Sequence, residues 1–205
     1  MRNTDQLAAA DAAATPHPRE VIMLATARLL SKRGFDGIRL RDVAKEARVS
    51  IGMIQHYFDS RDDLVLETLE TTSIRRSSEW KIQASQTSDG RSMVKALLLG
   101  AVSDRERCLV WLETCAAASR HDELKSLTTR TNTVWRAVLR QAVDLGVEQK
   151  QFTLTAPPDH VVDILVALID GLMMAVATDD PALTPEHIES LLLDTAYSHL
   201  GMDPD

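Results

Sequence analysis

Apolar positions recur along this chain with helical rather than strand periodicity. In REVIMLATARLLSKRG, Ile22, Ala25, Leu29 and Leu30 fall at i, i+3, i+7 and i+8, with Arg28, Lys32 and Arg33 off that face. Gly34 then supplies a stop, so the spacing predicts a first helix of about four turns. Phe35 and Ile38 are apolar plugs in a short connection, and LRDVAKEA predicts a second helix with Leu40, Val43, Ala44 and Ala47 on one face. Ser50 is a good N-cap for a third helix over Ile51–Tyr57. A helix of about two turns is marginal alone and has to be held by its neighbours. Within it Ile54 and Phe58, four apart, are the expected buried pair, which leaves Gln55 and His56 pointing elsewhere. Arg48 stands in the turn where glycine would be easiest if the backbone there is left-handed.

From Ser60 a fourth helix is expected, with Asp62, Asp63 and Glu67 suited to its N-terminal dipole, running to about Ser85. After a break at QTSDG, helical patterns follow at 91–103, 105–119, 122–149, 159–178 and 185–200, separated by links such as TAPPD and DDPALTPE. Period-2 runs are nearly absent. The fold class read from this pattern is all-α with about nine helices. Two short helices joined by a turn of about three to four residues form a helix-turn-helix, whose second member enters the major groove of DNA. The expected organisation is a flexible tail over 1–17, a three-helix DNA-binding domain over 18–65, and an effector-binding and dimerisation bundle over 66–205.

The net charge of −7 argues against nucleic acid as a partner, but its distribution does not. Residues 18–65 carry nine basic and seven acidic side chains, a balance of +2, so the rest of the chain carries −9. A mildly basic segment on an acidic body suits a DNA reader with a separate regulatory part, because phosphate contact is a local requirement. Cys108 and Cys115 lie in one predicted helix at about 10 Å separation, too far for a disulfide. The first residues lack the charged and apolar regions of a signal peptide. The apolar stretch 161–178 carries Asp163 and Asp170 and is short for a membrane span, so no membrane association is expected and a cytoplasmic location is.

With the helix order in place, RLLSKRGFDGIRLRDVAKEARVSIGMIQHYFDSRDDL resembles the DNA-binding domain of the tetracycline-repressor-like (TetR) family. Arg33, Gly34 and Phe35 match the family's Arg-Gly-aromatic ending of the first helix, and Val49, Ser50 and Gly52 match its Val-Ser-x-Gly start of the third. HYF and SRDDL correspond to the aromatic ending of the third helix and the start of the fourth. The chain departs from the pattern at Gln55 for tyrosine, Tyr57 for histidine, Arg61 for lysine, Arg39 for a Ser/Thr cap and Arg48 for glycine. Gln55 changes the chemistry most, because an amide pairs bidentately with adenine, so base preference does not carry over. WLETCAAASRHDEL and ALIDGL resemble, more diffusely, the regulatory domain of the betaine-regulator-like branch.

The resemblance implies a regulator of transcription, with repression as the default by analogy and an activator or dual regulator as the alternative. Its implied partners are a near-palindromic double-stranded operator, a second copy of the chain and an unidentified small-molecule effector. The expected DNA-facing residues are Arg41, Ser50, Ile51, Gly52, Met53, Gln55, His56, Tyr57 and Arg61. Effector candidates are Trp111, Glu113, Cys115, Trp135, Asp170 and Met174; tryptophan beside carboxylate suits an organic cation. The apolar faces Leu165, Leu168, Ile169, Leu172, Met173 and Ile188, Leu191, Leu192, Thr195 are expected to pair as a four-helix dimer interface. An enzyme is disfavoured: the chain has no phosphate loop, Gly-x-Ser-x-Gly elbow, His-Glu-x-x-His pair or Cys-x-x-Cys, so no catalytic residue, metal or cofactor is expected. A purely structural helical interaction protein would leave the Ser50–Tyr57 segment as coincidence.

Overall fold

The computed structural model describes residues 17–202, so the tail expected over residues 1–17 lies, His17 apart, outside the described residues. The described residues form nine helices: α1 (Pro18–Arg33), α2 (Leu40–Ala47), α3 (Ile51–Tyr57), α4 (Arg61–Ser85), α5 (Gly90–Val102), α6 (Arg105–Ala118), α7 (Asp122–Glu148), α8 (Pro158–Thr178) and α9 (Pro185–Leu200). Local chemistry sets most of these bounds. Ser50, Ser60, Asp89, Asp104 and Thr184 each accept a backbone N–H from the first turn of the helix they precede. Both cysteines are free thiols, Cys108 buried and Cys115 exposed.

Apolar burial divides into two clusters. The N-terminal one packs Ile22, Leu30, Phe35, Val43, Ile54 and Leu64 together with Val110, Ala117, Leu124 and Leu127 from α6 and α7. The second gathers Trp80, Leu97, Leu98, Trp135, Leu139, Leu165, Leu192 and their neighbours. Three helices serve both. α4 gives Leu64, Val65 and Leu69 to the first cluster and Trp80 and Ala84 to the second; α6 and α7 divide in the same way. The boundary drawn from sequence at 65/66 falls inside continuous α4.

The faces expected to dimerise are used differently. Leu165, Ile169, Leu172, Met173, Ile188 and Leu192 are each at most 5% exposed and belong to the protomer's own core. Leu168 and Thr195 are half-buried, and Leu191 alone of the set is exposed. The physical reason is that α8 is apolar almost all round, and α5, α6, α7 and α9 between them cover its bulkier side. By length and hydropathy α8 is long enough to cross a membrane, but half of that window is buried in this fold, as in the core helix of a bundle.

One close approach limits what the bundle tolerates. A Cβ placed on Gly90 would lie 2.3 Å from the backbone of Gly146, where the start of α5 crosses the end of α7. Backbone cannot swing aside as a side-chain tip can. Gly90→Ala is therefore expected to destabilise the protein by about 1–3 kcal/mol, more than the ~0.5–1 kcal/mol that a helical alanine gains over glycine. Denaturant titration checks this, and an unchanged midpoint would show that the crossing yields.

Candidate nucleic-acid interface and effector cavity

The recognition segment is built by one left-handed residue and one cap. Arg48 closes α2 at φ 56°, ψ 41°, in the left-handed region where glycine would be easiest. The Val49 N–H then donates to the Ala44 carbonyl, which folds the chain back towards α3. The Ser50 hydroxyl accepts the Met53 N–H at 3.1 Å, starting α3 two residues after the turn. α3 buries Ile54 completely, and Phe58 at its end is 3% exposed, as their spacing implied. Ser50, Ile51, Gly52, Met53, Gln55 and His56 are all exposed. Ile51 and Met53 keep 44% and 40% of their surface open, an apolar exposure that nothing in the protomer requires. Tyr57 is half-buried, edge-on to the rings of His56 and His17.

The basic side chains around this helix divide by pairing. Arg19, Arg28, Arg33 and Arg61 are each in an ion pair, with Glu67, Glu46, Asp42 and Asp62. Arg39, Arg41, Lys45 and Arg48, on or next to α2, are exposed, and none reaches a carboxylate among the described residues. These four are free to meet phosphates. Arg61 is not presented in the same way: its Nε donates to the Ile38 carbonyl, its guanidinium lies 4.8 Å from the Phe35 ring centroid, and one terminal nitrogen is buried. It holds the α1–α2 connection against α4 rather than reaching outwards.

A cavity, partly open to solvent, lies where α4, α6 and α7 pass from one apolar cluster to the other. All three tryptophans of the chain, Trp80, Trp111 and Trp135, line it. Trp80 and Trp135 pack with ring centroids 4.4 Å apart. Of the residues expected there, Trp111, Trp135 and Asp170 line the space. Burial raises the Asp170 carboxyl above its ordinary pKa, and the nearby Trp111 indole and the Arg136 charge offset part of that rise.

Glu113, Cys115 and Met174 do not line the cavity, and each departure has a cause. The Glu113 carboxylate faces α1, where it accepts the Phe35 N–H at 3.1 Å. Cys115 lies on the solvent side of α6, and Met174 is 56% exposed on the outer side of α8. Ile169 and Met173, assigned from sequence to the dimer interface, line the cavity instead. Sequence reasoning missed Arg76, Trp80 and Arg107. A signal was present in α4, where Ser73, Arg76 and Trp80 recur at i, i+3 and i+7, a mixed polar and aromatic stripe that a plain core helix would not carry.

Comparison with known proteins agrees with this geometry. Residues 22–68 match the family of bacterial regulatory proteins called the tetR family, and residues 87–201 match the BetI-type transcriptional repressor C-terminal family. The chain is similar to the HTH-type transcriptional regulator PksA of Bacillus subtilis, 26% identical over 85% of this chain and 86% of that one. It is 23% identical to the HTH-type transcriptional regulator BetI of Rhizobium meliloti over 93% of each. Among solved structures, a protein from Saccharomonospora viridis in complex with choline superposes with a TM-score of 0.81 at 24% identity, over 88% of this chain and 95% of that one. Reduced NemR of E. coli superposes at 0.77 and 21% identity, over 92% and 100%. The tetR-family match covers the helix-turn-helix and the BetI-type match spans more than half of the chain, so the chain belongs to the TetR family of DNA-binding transcriptional regulators, with a BetI-type C-terminal domain, and is not an enzyme.

Proposed function

We propose that the protein is a cytoplasmic, ligand-responsive repressor that binds a near-palindromic operator as a homodimer. The observation that carries this reading is the position of the cavity, at the level where α4, α6 and α7 pass from the DNA-binding core to the second core. A ligand that enters there displaces helices that hold the recognition unit. α4 carries Leu64, Val65 and Leu69 into that unit, and α6 grips it through Glu113 and the Phe35 amide. The choline bound in the Saccharomonospora viridis structure supports a small-molecule effector in this fold.

Dimerisation is assigned to the outer stripe of α8 and α9 in place of the buried one. Met174 and Leu191 are 56% and 36% exposed, and a Cβ on Gly171 would meet nothing within 4 Å. Glycine in the middle of a helix costs about 0.5–1 kcal/mol, and packing inside the protomer gives no reason to retain it. A second copy lying close against that stripe does. Two protomers then present two recognition helices to half-sites about one helical turn, or a multiple of it, apart.

Selection from randomised DNA followed by footprinting is expected to return an inverted repeat. Recovery of asymmetric single half-sites alone would count against the dimeric reading. The response to ligand is expected to be a change in the spacing of the recognition helices. Spin labels at exposed Lys45 of each protomer measure that spacing. An unchanged distance distribution beside clear loss of operator binding would remove the lever and leave a change in rigidity as the cause.

A further inference from the structure

We propose that the effector cavity takes a small apolar carboxylate, whose charge pairs with Arg76, and not an organic cation. This deepens the ligand-responsive reading above and rests on it for the link to DNA. Arg76 lines the cavity from α4, with its guanidinium 5.4 Å from the Trp80 ring centroid. One terminal nitrogen donates to the Ala101 carbonyl at 3.0 Å, the last turn of α5 being its protein acceptor. No carboxylate among the described residues comes within ion-pair distance of it.

Two of the acids nearby are already ion-paired. Glu79 pairs with Arg107 at 3.1 Å and with Arg75 at 3.7 Å. Asp104 pairs with Arg107 at 3.1 Å. Asp170, on another part of the cavity wall, has the Trp111 indole and the Arg136 charge nearby, and Arg136 is itself ion-paired with Asp163. Cys108, beside Arg76, is buried, and burial pushes its thiol pKa up, so it supplies no thiolate at neutral pH. Arg76 is therefore a half-buried charge on the cavity wall that rests on the Trp80 ring and one backbone carbonyl, without an ion-pair partner. Burial lowers its pKa from the ordinary arginine value, the direction expected of a cation short of counter-charge. Arginine stays ionised all the same, and its planar fork matches a carboxylate bidentately.

The same side chain works against the ligand expected from sequence. An organic cation would be received on an indole face, and the face of Trp80 that packs beside Trp135 is already taken by Arg76. A second cation would meet the like charge of Arg76. A carboxylate with an apolar body meets neither obstacle: its charge answers Arg76, and Trp111, Val110, Ile169 and Met173 surround the rest.

Because every tryptophan of the chain lines this cavity, intrinsic fluorescence of the full-length protein reads its occupancy directly. The probes are benzoate and hexanoate, the neutral isostere benzamide, and choline. Benzoate or hexanoate is expected to change the emission saturably, with benzamide about 10- to 100-fold weaker, the range of a charge-assisted hydrogen-bonded contact. Arg76→Gln is expected to lose that preference and to gain response to choline, since the Trp80 face is then free. Circular dichroism reports whether this variant folds. If it does not, the ratio of benzoate to benzamide on the unaltered protein still decides. Failure of both carboxylates to bind at millimolar concentration, choline binding in preference to them, or an Arg76→Gln protein that folds and keeps the benzoate preference would each overturn the proposal. Binding of benzoate without release from a selected operator would leave the carboxylate site standing and defeat the ligand-responsive reading instead.

Discussion

An aspartate at position 172 is expected to prevent the chain from folding, whereas aspartates at 174 and 191 are expected to leave it folded and make it a monomer. Leu172 is 5% exposed, within the cluster that joins α8 to α5, α7 and α9. A carboxylate there loses its water and gains no partner, at a cost of several kcal/mol. That is a large part of the ~5–15 kcal/mol that holds a domain together. Met174 and Leu191 already face outwards, so the same substitution inside one protomer costs within about 0.5 kcal/mol. Across a two-fold axis the double variant instead sets like charges into a shared apolar face. Circular dichroism separates the two classes by folding, and sedimentation separates them by mass. A Met174→Asp/Leu191→Asp protein that remains a dimer with full operator affinity would place the interface elsewhere.

Gln55→Ala is expected to cost the protein most of its operator affinity without touching its stability. Gln55 is exposed on α3 next to exposed Met53 and His56, and forms no hydrogen bond within the protomer among those described. A bidentate contact to a base is worth about 1–3 kcal/mol, and a dimer loses it at both half-sites, so the total is about 2–6 kcal/mol, or about 30- to 20,000-fold. The preference at the matching base position should relax in parallel. Arg41→Ala is expected to behave differently: weaker binding to every sequence, with a salt dependence shallower by about two phosphate contacts per dimer. Titration of both variants against a selected operator and a scrambled duplex at several salt concentrations distinguishes them. Unchanged base preference in Gln55→Ala would show that this side chain does not read the operator.

Most of the secondary structure is local chemistry and so is legible along the chain. α2 and α3 have the bounds that periodicity and the Ser50 cap imply, because a helix of that length begins and ends on groups within about four residues of its termini. The left-handed turn at Arg48 was visible for the same reason: only a few residues link two helices that must pack on one core. The exposed residues of α3 followed once Ile54 and Phe58 were recognised as its anchors.

What needed the third dimension is wherever a side chain's partner lies far along the chain or a helix offers more than one apolar face. Periodicity cannot tell which side of α8 turns inward when Leu165, Ile169 and Leu172 lie on one side and Ala167, Gly171 and Met174 on another; the neighbouring helices decide, and they took the bulkier side into the protomer. Glu113 reads as a cavity acid until its carboxylate is found on a backbone amide 78 residues away. Arg76 reads as a solvated charge on a long helix until α5 and Trp80 close around it. The amino-acid sequence by itself determined the helices, their order and the DNA-reading segment, because these depend on contacts between near neighbours. Tertiary structure alone decided which apolar face is core, which acid accepts the Phe35 amide and which cation lines the cavity, because burial and charge pairing are properties of the packed whole.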